Sequence, residues 1–308
     1  MNPSHDQTGA TQTVYRGRFA PSPTGPLHMG SLIAATASYL AARKMRGQWF
    51  LRIEDIDPPR EVPGCTANII ATLEALGFEW DGEILYQSQR MELYHETLEK
   101  LRKRGAVYRC SCSRKLIRQT IARHGLKSGI YPGTCRVSPP PAHAETAWRF
   151  DATDTVISYT DHLQGHQQIQ FGRDQGDFIV WRKCQLPSYQ FAVTIDDEAQ
   201  NITEIVRGCD LLQETAGQHL LRDALNYPRP QTAHIPVLLN KDGVKLSKQT
   251  GAKALDVSNA PQQLCAAFTA LGMRPESALQ HLPTPELWSW AISQWDHKAL
   301  LNKKTLSP

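Results

Sequence analysis

The sequence predicts an α/β fold with a parallel sheet, and three observations carry that prediction. Strand-like and helical runs alternate through the first hundred residues, a Pro- and Gly-rich loop joins the first strand to the first helix, and the same rhythm resumes near residue 189. Alternation of this kind places successive strands in one sheet with helices as crossovers. The topology points to a fold of the nucleotide-binding type.

Residues 14–20 read as a short strand, followed by the loop PSPTGPLHMG and an apolar helical run over 31–45. Residues 48–53 (QWFLRI) form a β-rich second strand that runs into Glu54, Asp55 and Asp57 and is closed by Pro58 and Pro59. Apolar spacing predicts helices over 65–76 and 89–103. From Val107 the character changes to three closely placed cysteines, a Pro-rich segment at 138–142 and short strand-like pieces through Trp181, as expected of an insertion. A strand over 189–195, a helix over 211–225 and a strand over 232–239 restore the alternation before the basic loop KDGVKLSKQTG. Two helices are expected in what remains, 261–273 and 285–301, the second with Trp288, Ile292 and Trp295 at i, i+4 and i+7.

Composition bounds the function. Of the 308 residues 41% are hydrophobic, including seven tryptophans, which supplies a packed core and excludes global disorder. A chain of this length buries about three quarters of its unfolded surface, enough for one large domain or two modest ones. The longest mostly apolar run, 32–42, contains Thr36, Ser38 and Tyr39 and falls short of the roughly 20 residues that span a bilayer. The first thirteen residues lack the basic and apolar regions of a secretion signal, so a cytoplasmic protein with no membrane partner is expected. Seven cysteines, an odd number spread over a long chain, argue against a disulfide framework and for thiols or a metal site. Thirty-four Lys and Arg against 30 Asp and Glu leave a formal charge of +4, compatible with a polyanionic partner without requiring one.

Two motifs suit phosphate chemistry. PSPTGPLHMGS puts His28 and Gly30 where a loop opens a helix, and there unpaired backbone N–H groups and the helix dipole favour a phosphate. Gly30 lets a nucleotide approach the backbone closely, and His28 can donate to phosphate oxygens. Lys245-Leu246-Ser247-Lys248 sets two lysines around a hydroxyl on a loop, able to neutralise charge on a transferring phosphate group. Taken singly, each motif has a plainer reading, a capping histidine and a solvated basic turn.

Taken together and in this order, the HMGS loop and the KLSK loop resemble the two signatures of class I aminoacyl-tRNA synthetases. GRFAPSPTGPLHMGS, LRIEDID, YQFAV with VRGCDLL, and HIPVLLNKDGVKLSK resemble the glutamyl branch of that class and cover most of residues 15–255. The resemblance implies a Rossmann-like catalytic domain in two halves, 14–108 and 189–255, with a polar tail at 1–13, an insertion at 109–188 and a short helical region at 256–308. It implies that Arg18, Ala20, Ser22, Glu54, Tyr189 and Arg207 surround glutamate, that His28, Gly30, Lys245 and Lys248 are catalytic, and that His28, Gly30 and Lys248 bind ATP. Physical chemistry agrees, since an arginine fork holds a carboxylate and Glu54 can pair with an α-ammonium. The implied reaction is attack of the amino-acid carboxylate on the α-phosphate of ATP, with Mg2+ neutralising the phosphates and pyrophosphate leaving. Ser31 and Gln249 depart from the family signatures, while His28, Gly30, Lys245 and Lys248 match them.

Cys110, Cys112 and Cys135 suggest Zn2+ held by thiolates. A tetrahedral structural site needs a fourth ligand, for which spacing alone leaves His124 as the generic choice. The resemblance, through a C-x-C and Y-x-x-x-C pattern, implies Tyr131, and one structural zinc per chain that stiffens the insertion.

The sequence given ends about sixty residues after Lys248, too few for the helical portion with which full glutamyl enzymes read the anticodon, so no anticodon-binding domain is expected. Length and zinc pattern together resemble a shortened branch of the family that activates L-glutamate without tRNA and transfers it to queuosine in the anticodon loop of tRNA(Asp). The implied partners are ATP, L-glutamate and that anticodon arm, and a monomer is expected. One rival is a shortened glutamyl or glutaminyl enzyme charging a tRNA 3′ end, although RFAPSPTG, unlike RFPPEPNG, counts against glutamine. The other is a catalytically silent tRNA-binding paralogue, against which the matching signature residues count. Asp196, Asp197 and the trio Arg102, Lys103 and Arg104 are further candidates to face RNA, the trio reading more simply as a solvated face.

Overall fold

A computed structural model describes residues 14–240, 243–246 and 252–306. Strands β1 (Arg16–Phe19) and β2 (Gln48–Ile53) pair in parallel across the crossover helix α1 (Met29–Lys44), and α2 (Cys65–Ala75) leads to the short β3 (Leu85–Tyr86) on the far side of β2. The acidic cluster after β2 therefore leaves the sheet at the carboxyl ends of its strands, where ligands of open α/β sheets bind. Helix α3 (Met91–Lys103) follows.

The span expected as an insertion divides between two sheets. It contains β4 (Val107–Cys110), α4 (Arg114–Arg123), α5 (Thr134–Val137), β5 (Ala147–Phe150), β6 (Val156–Asp161), β7 (Gly165–Gln170) and β8 (Phe178–Trp181). β4, β5 and β8 form an antiparallel sheet of their own, whereas the β6–β7 hairpin joins the second half of the main fold. That half comprises α6 (Tyr189–Ala199), β9 (Glu204–Gly208), α7 (Glu214–Leu225), β10 (Gln231–Ile235) and β11 (Val237–Leu238). β10 runs parallel to β9 along five residues and meets β6 at Thr232 and Asp161. β1 abuts the start of β9, with Thr203 N donating to Arg16 O at 3.0 Å and Arg16 N to Thr203 Oγ1 at 2.8 Å, which joins the two halves edge to edge.

Residues 189–195, expected as a strand, are instead the opening turns of α6. The Ser188 hydroxyl accepts from Phe191 N at 3.4 Å as the N-cap, and Phe191, Ala192 and Ile195 enter a core shared with α3 and α7. The β preference of Tyr, Phe, Val, Thr and Ile is weak, and a capped helix with a buried face overrides it. The expected strand at 232–239 is also split, because Pro236 interrupts the ladder and β11 pairs elsewhere.

Helices α8 (Ala260–Ala270) and α9 (Thr284–Gln294) pack on α1, and β12 (Thr305–Leu306) pairs with β11. The expected helix at 285–301 ends at Gln294, and residues 297–300 form a separate 3-10 turn. Trp288 anchors α9: its Nε1–H donates to Leu76 O at 2.9 Å, and its ring lies 4.8 Å from both Tyr39 and Phe78. Gly77, at φ +73°, makes room for this, because a Cβ there would sit 2.5 Å from Thr284 Cγ2. Among the described residues no helix is long and apolar enough to cross a membrane.

Candidate active site

The residues expected around an amino acid converge at the carboxyl ends of β1, β2 and β9 and the N-terminus of α6. Ser22, Glu54 and Tyr189 line one cavity of about 300 Å³, together with Ile56, Gln87 and Arg182. Ala20 directly follows β1, so its position is fixed by the sheet. Glu54 is 7% exposed, and its Oε1 is buried without a hydrogen-bond partner, the nearest cation being Arg52 Nε at 3.7 Å. A buried carboxylate on a cavity wall, whose Oε1 faces Arg52, suits an incoming ammonium on its other side. Burial pushes the Glu54 carboxyl up to about 7, against the opposing pull of Arg52 and Arg18.

Arg18 and Arg207 stand behind this cavity as buried cations with separate anchors. Arg18 Nε donates to Asp197 Oδ1 at 3.0 Å, and Arg52 Nη2 reaches the same oxygen at 2.7 Å. The neighbouring Asp196 accepts from Gln87 Nε2, Arg90 Nε and Tyr94 Oη, each at 2.7 Å. Asp196 and Asp197 are 0% and 1% exposed, so they do not face RNA; they are counter-ions of the pocket. Of the basic trio, Arg102 stacks over Trp148 and pairs with Glu99, and Arg104 donates to the Ala224 carbonyl.

Arg207 points Nη1 at the Tyr189 hydroxyl, 3.4 Å away. Its Nη2 donates to Thr215 Oγ1 at 2.8 Å and its Nε to His234 Nε2 at 3.0 Å. Behind His234 lies Asp161, 2.5 Å from Nδ1.

At the phosphate end, His28 caps α1, its Nδ1 accepting from Ser31 N at 3.3 Å. In the neutral ring this leaves the proton on Nε2. A Cβ at Gly30 would lie 3.1 Å from the His28 ring, tighter than an ordinary contact, so this glycine leaves room for the capping histidine, and Leu246 O of the second signature loop lies close by. Lys245 Nζ pairs with Asp210 Oδ2 at 2.5 Å, and the loop is tied down by Leu246 N to Leu238 O at 2.8 Å. Lys248 and Gln249 lie outside the described residues.

The three cysteines form a metal-competent cluster, their sulfurs all within 4.8 Å of one another. Cys112 and Cys135 sulfurs are 3.4 Å apart, and the Tyr131 hydroxyl is 3.4 Å from Cys110 Sγ, 3.5 Å from Cys112 Sγ and 2.9 Å from Cys135 N. Zn–S bonds of about 2.3 Å in a tetrahedron set sulfurs about 3.8 Å apart, and the sulfurs here, within 4.8 Å of one another, are gathered on that scale. His124 is exposed and caps the far end of α4.

Sequence reasoning missed Gln87 and Arg182 on the cavity wall and Asp161, Thr215 and His234 behind Arg207. It also passed over a run from Lys100 to Ala144 that holds eleven Lys and Arg and no Asp or Glu. That signal is readable in the charge pattern.

The fold and the paired signature loops define a class I synthetase catalytic domain. The family described as tRNA synthetases class I (E and Q), catalytic domain, matches residues 14–308, and the chain belongs to it. The chain is 48% identical over 285 residues to the Glutamyl-Q tRNA(Asp) synthetase of Chromobacterium violaceum, covering 92% of this chain and 95% of that one. It is also 48% identical to the protein of the same name from Neisseria meningitidis serogroup C, covering 92% and 96%. Among solved structures, glutamate-tRNA synthetase from Elizabethkingia anophelis superposes with a TM-score of 0.78 at 25% identity, covering 95% of this chain and 68% of that one.

Proposed function

We propose that this chain activates L-glutamate as glutamyl-adenylate at the expense of ATP, without tRNA, and then transfers the glutamyl group to queuosine in the anticodon loop of tRNA(Asp). The observation that carries the reading is the 48% identity, over nearly the full length of both chains, to proteins named for that reaction. The cavity supports it chemically: a buried carboxylate at Glu54 for the α-ammonium, and buried arginines at Arg18 and Arg207 behind it for carboxylates. In the first step an α-carboxylate oxygen forms a bond to the α-phosphorus as the bond to pyrophosphate breaks. His28, Lys245 and Lys248 neutralise the charge that develops, alongside the Mg2+ that accompanies ATP. No protein nucleophile takes part. In the second step an acceptor group on queuosine attacks the glutamyl carbonyl and AMP leaves.

Cys110, Cys112, Cys135 and Tyr131 would hold one Zn2+, whose contribution is structural. It ties β4, the start of α4 and α5 into a module that we take, with β5 and β8, as the nucleic-acid-facing part of the insertion. The acid-free run supports this: Arg114, Lys115, Arg118 and Arg123 are exposed on α4, a surface suited to RNA phosphates. Such a reaction places the protein with tRNA in the cytoplasm.

The test is to incubate the protein with ATP, labelled glutamate and unfractionated tRNA from cells with or without queuosine, then map the label by nuclease digestion. Label in an anticodon-loop fragment of tRNA(Asp), only when queuosine is present, is expected. Label on the 3′-terminal adenosine would make this a charging enzyme, and no transfer would make it a silent paralogue.

A further inference from the structure

We propose that His234, fixed by Asp161 in its Nδ1–H form, is a positioning residue that sets the substrate-facing orientation of Arg207. The inference rests on the reading above, in which Arg207 holds a carboxylate of glutamate.

A guanidinium Nε can only donate a hydrogen bond. At 3.0 Å from Arg207 Nε, His234 Nε2 must therefore present its lone pair. The ring proton then resides on Nδ1, where Asp161 Oδ2 waits at 2.5 Å. Asp161 is itself over-determined as an acceptor, because its Oδ1 takes N–H bonds from Leu163 at 3.1 Å, Gln164 at 3.0 Å and His234 at 3.1 Å. Burial would raise the Asp161 pKa, yet the His234 side chain, with help from the His234 N–H, holds it down to about 2. Burial also lowers the pKa of His234, so the acceptor form persists.

The geometric result is a guanidinium with two edges occupied. Nε is held by His234 and Nη2 by Thr215 Oγ1 at 2.8 Å, so Nη1 is directed toward the hydroxyl of Tyr189, a residue of the cavity wall. His234 and Asp161 are each at most 1% exposed and reach Tyr189 only through Arg207, which is why their role runs through it. A protonated His234 would set Nε2–H against Nε–H and turn the guanidinium away. A histidine needed only to fill the core would be indifferent to which ring nitrogen carries the proton.

The test is glutamate-dependent ATP–pyrophosphate exchange, varying glutamate and ATP separately, alongside thermal melting. Substitution H234N keeps a donor toward Asp161 but removes the acceptor for Arg207. It is expected to raise the KM for glutamate about tenfold or more, equivalent to about 1.4 kcal/mol per decade, while the KM for ATP and the melting temperature stay put. Substitution H234Q, whose amide oxygen can reach the Nε2 position, is expected to recover most of that loss. An unchanged glutamate KM in H234N, an equal loss in H234Q, or a parallel rise in the KM for ATP overturns the inference. Should H234N fail to fold, D161N carries the test: it weakens the bond that fixes the ring proton on Nδ1 and should raise the glutamate KM severalfold at constant ATP KM, and an unchanged KM overturns the proposal. If the wild-type chain shows no glutamate-dependent exchange, the functional reading fails and takes this inference with it, whereas exchange that the variants do not alter refutes the inference alone.

Discussion

Arg18 and Asp197 lie 3.0 Å apart, at 4% and 1% exposure, and Arg52 reaches the same Asp197 oxygen at 2.7 Å. One carboxylate thus holds two buried guanidiniums at the back of the amino-acid cavity. Breaking such a pair leaves uncompensated charge inside the protein, which costs about 3–5 kcal/mol. Substitution D197N, close in shape, should lower stability by that order in urea titrations and raise the glutamate KM by releasing Arg18. The pH dependence has a definite sign. Burial would raise the Asp197 pKa, but Arg18, Arg52 and Arg222 hold it well below the carboxylate range, so its contribution is present above the unfolded value of about 3.9 and is lost as pH falls toward the folded one. The acid limb of the stability curve should flatten in D197N.

Glu54 titrates in the opposite sense. Burial raises it to about 7 in a setting that also holds Asp196 and Asp197, with Arg52 and Arg18 opposing. Below that pH the side chain carries a proton and does not attract an ammonium; above it the carboxylate is available. Affinity for glutamate should therefore rise as pH increases through about 7, seen as a falling KM in exchange assays between pH 6 and 8. Folding responds inversely: because the folded pKa exceeds the unfolded one, the stability this group contributes is greatest at low pH and declines as pH climbs toward 7. Substitution E54Q should weaken glutamate binding and remove that part of the pH profile, and a profile identical to wild type would refute the assignment.

The outline of this site is legible in the sequence because its residues sit in short contiguous motifs. RFAPS, RIED and HMGS each belong to one strand end or loop, and the turn that displays them is encoded locally by Pro and Gly. What escapes sequence reading depends on distance along the chain. His234 meets Arg207 only because β10 pairs with β9 in register, His234 opposite Arg207, and Asp161 joins them because β6 touches β10 at that level. Nothing near His234 in the sequence announces either neighbour. Tyr189–Ala199 departs from the expected strand for a related reason: its residues favour strands locally, and the burial that makes it a helix comes from α3 and α7.

The cysteine cluster predicts separable damage. If the proposed Zn2+ is bound, chelation or replacement of Cys112 with Ser should abolish zinc binding and loosen the module of β4, β5 and β8, because the sulfurs and the Tyr131 hydroxyl packed together there would lose a shared ion. The cavity shares only Ile179 of β8 with that module, while Ser22, Glu54 and Tyr189 on its wall come from other elements, so glutamate activation should persist. Hydrogen exchange would read the first effect as lost protection around residues 107–150, and pyrophosphate exchange would read the second as near-normal activation. Retained zinc in C112S would count against the ligand set.

On the proposed function, the acid-free segment from Lys100 to Ala144 offers a way to separate the two half-reactions experimentally. Its exposed cations on α4, Arg114, Lys115 and Arg118, lie within one turn or so of each other, so a polyanion can be met by several charges at once. Reversing all three to glutamate should leave glutamate-dependent pyrophosphate exchange unchanged, since none of them lines the amino-acid cavity. Transfer to tRNA should fall at least tenfold, and the salt dependence of tRNA binding should become shallower by about one unit of log–log slope for each phosphate that the variant no longer neutralises. Filter binding at about 50 and 200 mM salt measures that slope directly. Transfer that withstands the triple reversal would place the RNA on another face of the molecule.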